Sequence, residues 1–254
     1  MRDVPWWGVV SSSAAPVLLV SGWTIAAGLQ PRFDPVADTV SALAAQGATD
    51  RWVMTLTFLV VGCCYVVTAL ALRPAAPTGR LILLAGALVG MLVAANPERP
   101  GDLYPIGHII TASAGLAGLI AWPAGAWRRG PAVPWALRPA AAAAAVAVLF
   151  ALVAWFGTEL ILGFAQVGLA ERVAGVAQAL WPLAVVLSCV WPPQPRNAAA
   201  QRSLVRTPYR PRRPPPRRAP SRRPPAATCG PAPLPGTRRA ARPAGSRPAP
   251  AARS

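Results

Sequence analysis

Six long apolar stretches crowd the first 191 positions of this 254-residue chain: Val9 to Leu29, Trp52 to Leu72, Leu81 to Ala95, Ile106 to Trp127, Ala140 to Gly157 and Val173 to Trp191. Roughly 20 helical residues cross the hydrocarbon core of a bilayer. A crossing segment must also satisfy its own backbone N–H and C=O groups, which for a single segment means a helix. None of the six carries an acid or an arginine in its interior. The predicted fold class is therefore an all-α integral membrane protein, a six-transmembrane-helix bundle over residues 1–191.

The formal net charge of +17 looks at first like a nucleic-acid-binding signature. Residues 1–191, however, hold ten arginines against eight acids, and the excess sits in 192–254, which has fifteen arginines, no acid and many prolines. Such a segment buries too little apolar surface to offset chain entropy, and it reads as a disordered basic C-terminal tail. Two readings of the tail stay open: contact with anionic inner-leaflet lipid, favoured for basic residues near such a surface, or an extension without function. Specific nucleic-acid recognition is not expected. The chain has no lysine while Arg, Ala, Pro and Gly abound, a coding bias that points to a GC-rich bacterium. Cys63, Cys64, Cys189 and Cys229 occupy spans or tail, so no structural disulfide is implied. With one histidine and no ligand spacing around it, no metal site or other cofactor is expected.

Arginines in short loops orient a membrane protein. Arg2, Arg73, Arg80, Arg128, Arg129, Arg138 and the fifteen of the tail fall on one side, against Arg32, Arg51, Arg99 and Arg172 on the other. Both termini are accordingly expected in the cytoplasm of a bacterial plasma membrane. Trp6, Trp7, Trp127, Trp135 and Trp191 mark the inner interface, and Trp52, Tyr104, Trp155 and Phe156 the outer one. A cleaved signal peptide competes for the first span, but Ser11, Ser12 and Ser13 break its apolar run and its charged leader is a single arginine beside Asp3.

The longest exported connection, Gln30 to Arg51, predicts a short outer rim helix from about Pro35 to Gln46. Asp34 suits its N-cap, Pro35 its first turn and Gly47 its end, and Asp50 is expected to cap the second span. Gly86 and Gly90 on the third span, with Ala114, Gly115 and Gly118 on the fourth, make thin faces that let helices approach closely. They serve either packing within the chain or a homodimer. Pro123 and Pro182 invite kinks.

Asp38-Thr-Val-Ser41-Ala-Leu43-Ala-Ala is followed by Arg51-Trp52 at the second span, Pro97 and His108 around the start of the fourth, and Gly168-Leu-Ala-Glu171-Arg172 at the sixth. This set resembles the bacterial membrane family known as domain of unknown function 998, over about residues 12 to 192. The resemblance implies a six-span bundle and no particular chemistry.

Polar residues gather at the outer span ends: Asp38, Ser41, Asn96, His108, Glu159, Glu171 and Arg172. Asp38, Ser41, Asn96, His108, Glu171 and Arg172 are the candidate binding residues of a shared outer pocket for a small ligand or a lipid headgroup. Asp38, Ser41 and His108 also contain the residue types of an acid, nucleophile and base, which would make the chain a lipid-directed hydrolase. Against that, Asp38 and Ser41 lie too close in sequence to bracket the imidazole easily, and no glycine-rich turn offers an oxyanion hole. A proton-coupled transporter would place acids near the midplane, where this chain has none. The plainest reading is a scaffold: Glu171 and Arg172 anchor the sixth helix, Asp38 pairs with Arg172 or Arg51, and His108 closes the outer end through hydrogen bonds.

Overall fold

The computed structural model describes residues 4–99, 101 and 105–191. The tail, with both readings of it, lies outside the described residues, as do Arg2, Asp3, Asp102 and Tyr104. Six helices follow in order: α1 Trp6–Gly28, α2 Trp52–Ala71, α3 Pro77–Met91, α4 Ile106–Ala126, α5 Pro139–Leu162 and α6 Val167–Val190. A 3₁₀ turn, Leu92–Ala95, prolongs α3. All six spans are long and apolar enough to cross a membrane.

Local chemistry sets several of the ends. Pro77 and Pro139 open α3 and α5, where the missing N–H costs no hydrogen bond and the fixed φ is already helical. Gly163, with φ +69°, takes the left-handed conformation that stops α5. The helix then runs past the expected Gly157 to Leu162, and α6 begins before the expected Val173. Glu159, Glu171 and Arg172 consequently sit inside helical turns rather than on their flanks.

Each helix packs against its neighbours in sequence and α6 returns against α1, closing a ring. Small residues set the distances. Gly86 on α3 faces Gly118 on α4 so closely that a Cβ on Gly86 would lie 3.0 Å from the Gly118 Cα, and a Cβ on Gly115 would lie 2.9 Å from the Gly90 Cα. The two thin faces thus meet one another within the chain. Ala114, expected on the same face, is exposed instead. Between α1 and α2, Gly8 meets Ala71, Gly22 meets Thr57, and a buried hydroxyl pair joins Ser11 to Thr68 at 2.9 Å. The outward positions carry Val17, Ile25, Leu56, Leu88, Ile110, Val148 and Phe150, an apolar surface suited to lipid.

The two ends of the ring differ. At the arginine-rich end the α4–α5 connection folds inward, burying Ala136 and Leu137 in the same core as Trp122, Val185 and Val186. At the other end, assigned above to the exterior, the Gln30–Arg51 connection covers the bundle and buries Val40, Leu43 and Ala44. It does not form the predicted rim helix. Only Ser41–Ala44 is helical, as one 3₁₀ turn, because the backbone groups a helix would pair internally are taken by α6. Asp50 likewise does not cap α2: its carboxylate accepts from the Trp52 indole at 3.1 Å, and the helix starts without a side-chain cap.

Candidate functional site

Arg172, one turn into α6, organises the outer end. Its Nη1 donates to the carbonyls of Pro35 at 2.8 Å, Asp38 at 2.9 Å and Gly168 at 2.9 Å. The guanidinium lies 5.9 Å from the centre of the Trp23 ring and 5.4 Å from that of Phe33, within the range of cation–π attraction. Nη2 is buried and has no hydrogen-bond partner among the described residues.

Glu171 works beside it. Its Oε2 accepts from the Val40 amide at 2.6 Å and its Oε1 from the Ser41 hydroxyl at 3.2 Å. The Leu169 amide adds a bond to the Val36 carbonyl at 3.0 Å. Five groups of the connection, on Pro35, Val36, Asp38, Val40 and Ser41, are thus held by one turn of α6, and Gly168 makes the approach possible: a Cβ there would overlap the Asp38 carbonyl oxygen. The Asp38 carboxylate itself turns away and accepts from the Asp34 amide at 2.8 Å, while Asp34 accepts from Val36. Arg172 therefore engages Asp38 through its backbone.

His108 belongs to a second cluster. It is 8% exposed, with Nδ1 3.0 Å from the Asn96 carbonyl and Nε2 3.2 Å from Glu98 Oε1. A carbonyl oxygen only accepts, so Nδ1 carries hydrogen. The Asn96 side chain donates to the Leu92 carbonyl and finishes α3. The clusters are joined where the Gln46 amide donates to the Glu98 carbonyl at 2.8 Å. Of the six candidate binding residues, Ser41, Glu171, Arg172 and the backbone of Asp38 form one latch, and Asn96 and His108 the other. Ser41 and His108 make no contact: Ser41 donates to Glu171, and the His108 nitrogens face the Asn96 carbonyl and Glu98.

Four contributors went unread in the sequence. Trp23 and Phe33 flank the guanidinium. Glu98 is the acid of the loop that leads to His108, and its place between Asn96 and His108 was the available signal. Gln30 closes the base of the connection with its amide, donating to the Thr49 carbonyl at 2.8 Å and accepting from the Thr49 amide at 3.0 Å. Glu159 has a local task, accepting from the Trp155 indole and from the Gln166 amide that leads into α6.

The profile of the family described as "Protein of unknown function (DUF998)" matches residues 13–188. The chain belongs to this family. The DUF998 region reaches from within α1 to near the end of α6, and every residue of the two latches lies inside it. No curated protein and no solved structure matches the chain.

Proposed function

We propose that this multi-pass membrane protein acts in a bacterial plasma membrane, with both termini cytoplasmic, as a non-catalytic scaffold. Its closed outer end grips a small anion or an anionic lipid headgroup. The observation that carries this reading is Arg172. A buried guanidinium N–H without an acceptor costs about 1–3 kcal/mol or more, and a planar fork within cation–π reach of two aromatic rings with one amino group unspent suits an oxygen of phosphate or carboxylate. Nη1 is fixed by three carbonyls, so little side-chain entropy remains to be lost on binding.

The same contacts speak for recognition over hydrolysis, since Ser41 has a carboxylate rather than the imidazole as its acceptor. The candidate site is then Arg172 with Trp23 and Phe33, roofed by Asp38 and Ser41 and flanked by Glu171, with His108 and Asn96 in the neighbouring latch. The test is a titration of the full chain in nanodiscs with glycerol 3-phosphate, a soluble headgroup analogue, followed by tryptophan fluorescence and thermal shift. Saturable stabilisation that is lost in Phe33→Ala and Arg172→Lys supports the reading. Absence of any saturable response, or an equal response in both variants, overturns it.

A further inference from the structure

The arginine-rich end holds a second, independent arrangement. The α2–α3 and α4–α5 connections are tied together there: the Ala76 amide donates to the Ala126 carbonyl at 3.0 Å, and Arg128 Nη2 to the Ala75 carbonyl at 3.1 Å. Gly79 and Gly125 permit the contact, since a Cβ on Gly79 would run into the backbone of Ala126 and one on Gly125 would lie 3.0 Å from the Gly79 amide nitrogen. The seam draws Arg73 and Arg80, on either side of Ala76, toward Arg128 and Arg129. Two of the four are fixed by backbone. Arg80 caps α2 through the Ala69 carbonyl at 2.9 Å and the Leu70 carbonyl at 3.1 Å, and Arg128 is held as above. Each keeps N–H donors to spare. Arg129 stacks 5.2 Å from the centre of the half-exposed Trp127 ring, and Arg73 is exposed.

Among the described residues these cations have no counter-charge. The described acids, Asp34, Asp38, Asp50, Glu98, Glu159 and Glu171, all belong to the opposite end, and none of the four arginines forms an ion pair among the described residues. The N-terminus of α3 opens at the same place, adding its partial positive charge. Beyond the seam, α3 and α4 expose apolar side chains, among them Leu81, Leu88 and Ile110. Preset guanidinium donors over an apolar flank, with an indole at the boundary, match one occupant: a phospholipid whose headgroup carries net negative charge and whose acyl chains lie along α3 and α4.

We propose that the α3–α4 seam is a binding site for an anionic phospholipid, with Arg73, Arg80, Arg128 and Arg129 taking the phosphate and Trp127 marking headgroup depth. The site is on the body of the protein and does not depend on the basic tail. The test uses the full chain in nanodiscs with a phosphatidylglycerol probe that carries a photoreactive group near its headgroup, and maps adducts by peptide mass spectrometry. Label is expected on the 73–80 and 126–129 segments. It should fall about fivefold for each arginine removed in Arg73→Gln with Arg129→Gln, leaving label on the tail unchanged. Neither residue makes a side-chain hydrogen bond among the described residues, so this pair leaves the fold intact; Arg128→Gln is the stricter variant. Label confined to the tail, equal label from the phosphatidylcholine probe, or displacement by an oligonucleotide at matched phosphate concentration would each overturn the proposal.

Discussion

Gly168 lies directly against the carbonyl oxygen of Asp38, two segments of chain that the sequence separates by four helices. A methyl group at that position would need the space the oxygen occupies. Gly168→Ala should therefore push the connection off α6 and weaken the contacts of Arg172, Glu171 and Leu169 together. A loss of about 1–3 kcal/mol, the usual range for overpacking, is expected. Thermal unfolding in detergent measures it, and limited proteolysis should place the new cleavage between Pro35 and Val40.

The carboxylate of Glu171 serves two donors, Val40 N–H and the Ser41 hydroxyl. Glu171→Ala should cost about 1–3 kcal/mol by leaving both without their acceptor, and Ser41→Ala should then cost little more. A double-mutant cycle should return clear coupling for this pair and near-additivity for Asp38→Ala with His108→Ala, whose side chains share no partner.

His108 bridges the Asn96 carbonyl to the Glu98 carboxylate from a position 8% exposed. Replacement by phenylalanine keeps the ring's bulk but removes both polar contacts. It should lower thermal stability by about 1–3 kcal/mol and speed hydrogen exchange in the 96–99 segment, with the 35–41 segment less affected.

Gly118→Ala tests what the thin helix faces are for. Its Cβ would come within 2.6 Å of the Gly86 Cα, forcing α3 and α4 apart. The melting temperature should fall while hydrodynamic size in detergent stays constant. A change in oligomeric state with stability intact would show that the face also joins two copies.

Topology is checked with reporters. A fusion after Trp191 should be cytoplasmic, and an insertion between Gly47 and Thr49 should be exported. An exported C-terminal fusion would contradict the arginine asymmetry on which the orientation rests.

The spans were legible because a bilayer leaves the backbone one local solution, while their ends, set by Pro77, Pro139 and Gly163, fell a few residues from those read off the apolar runs. The rim helix was misread for the opposite reason. Asp34 and Pro35 are sound helix-starting residues, but local preference counts for little where Arg172 and Leu169 claim the carbonyls of Pro35, Val36 and Asp38. Pairing across the outer end was legible only as residue types at a shared depth. That Arg172 would choose the backbone of Asp38 over its carboxylate, and His108 the acid at Glu98, depends on approach distances set by Gly168 and by the 3₁₀ end of α3. The glycine faces of α3 and α4 were visible, but which faces would meet was decided by the ring.

The Arg172 latch also has an order in time. Its acceptors, the carbonyls of Pro35 and Asp38, precede the arginine by 137 and 134 residues, so during synthesis they emerge long before their partner exists. The outer mouth can be fastened only when the last helix has been inserted. A chain that stalls or loses α6 would display the 35–41 segment unfastened at that end of the bundle. The latch thus doubles as a receipt of complete assembly, legible to whatever protease surveys that side of the membrane.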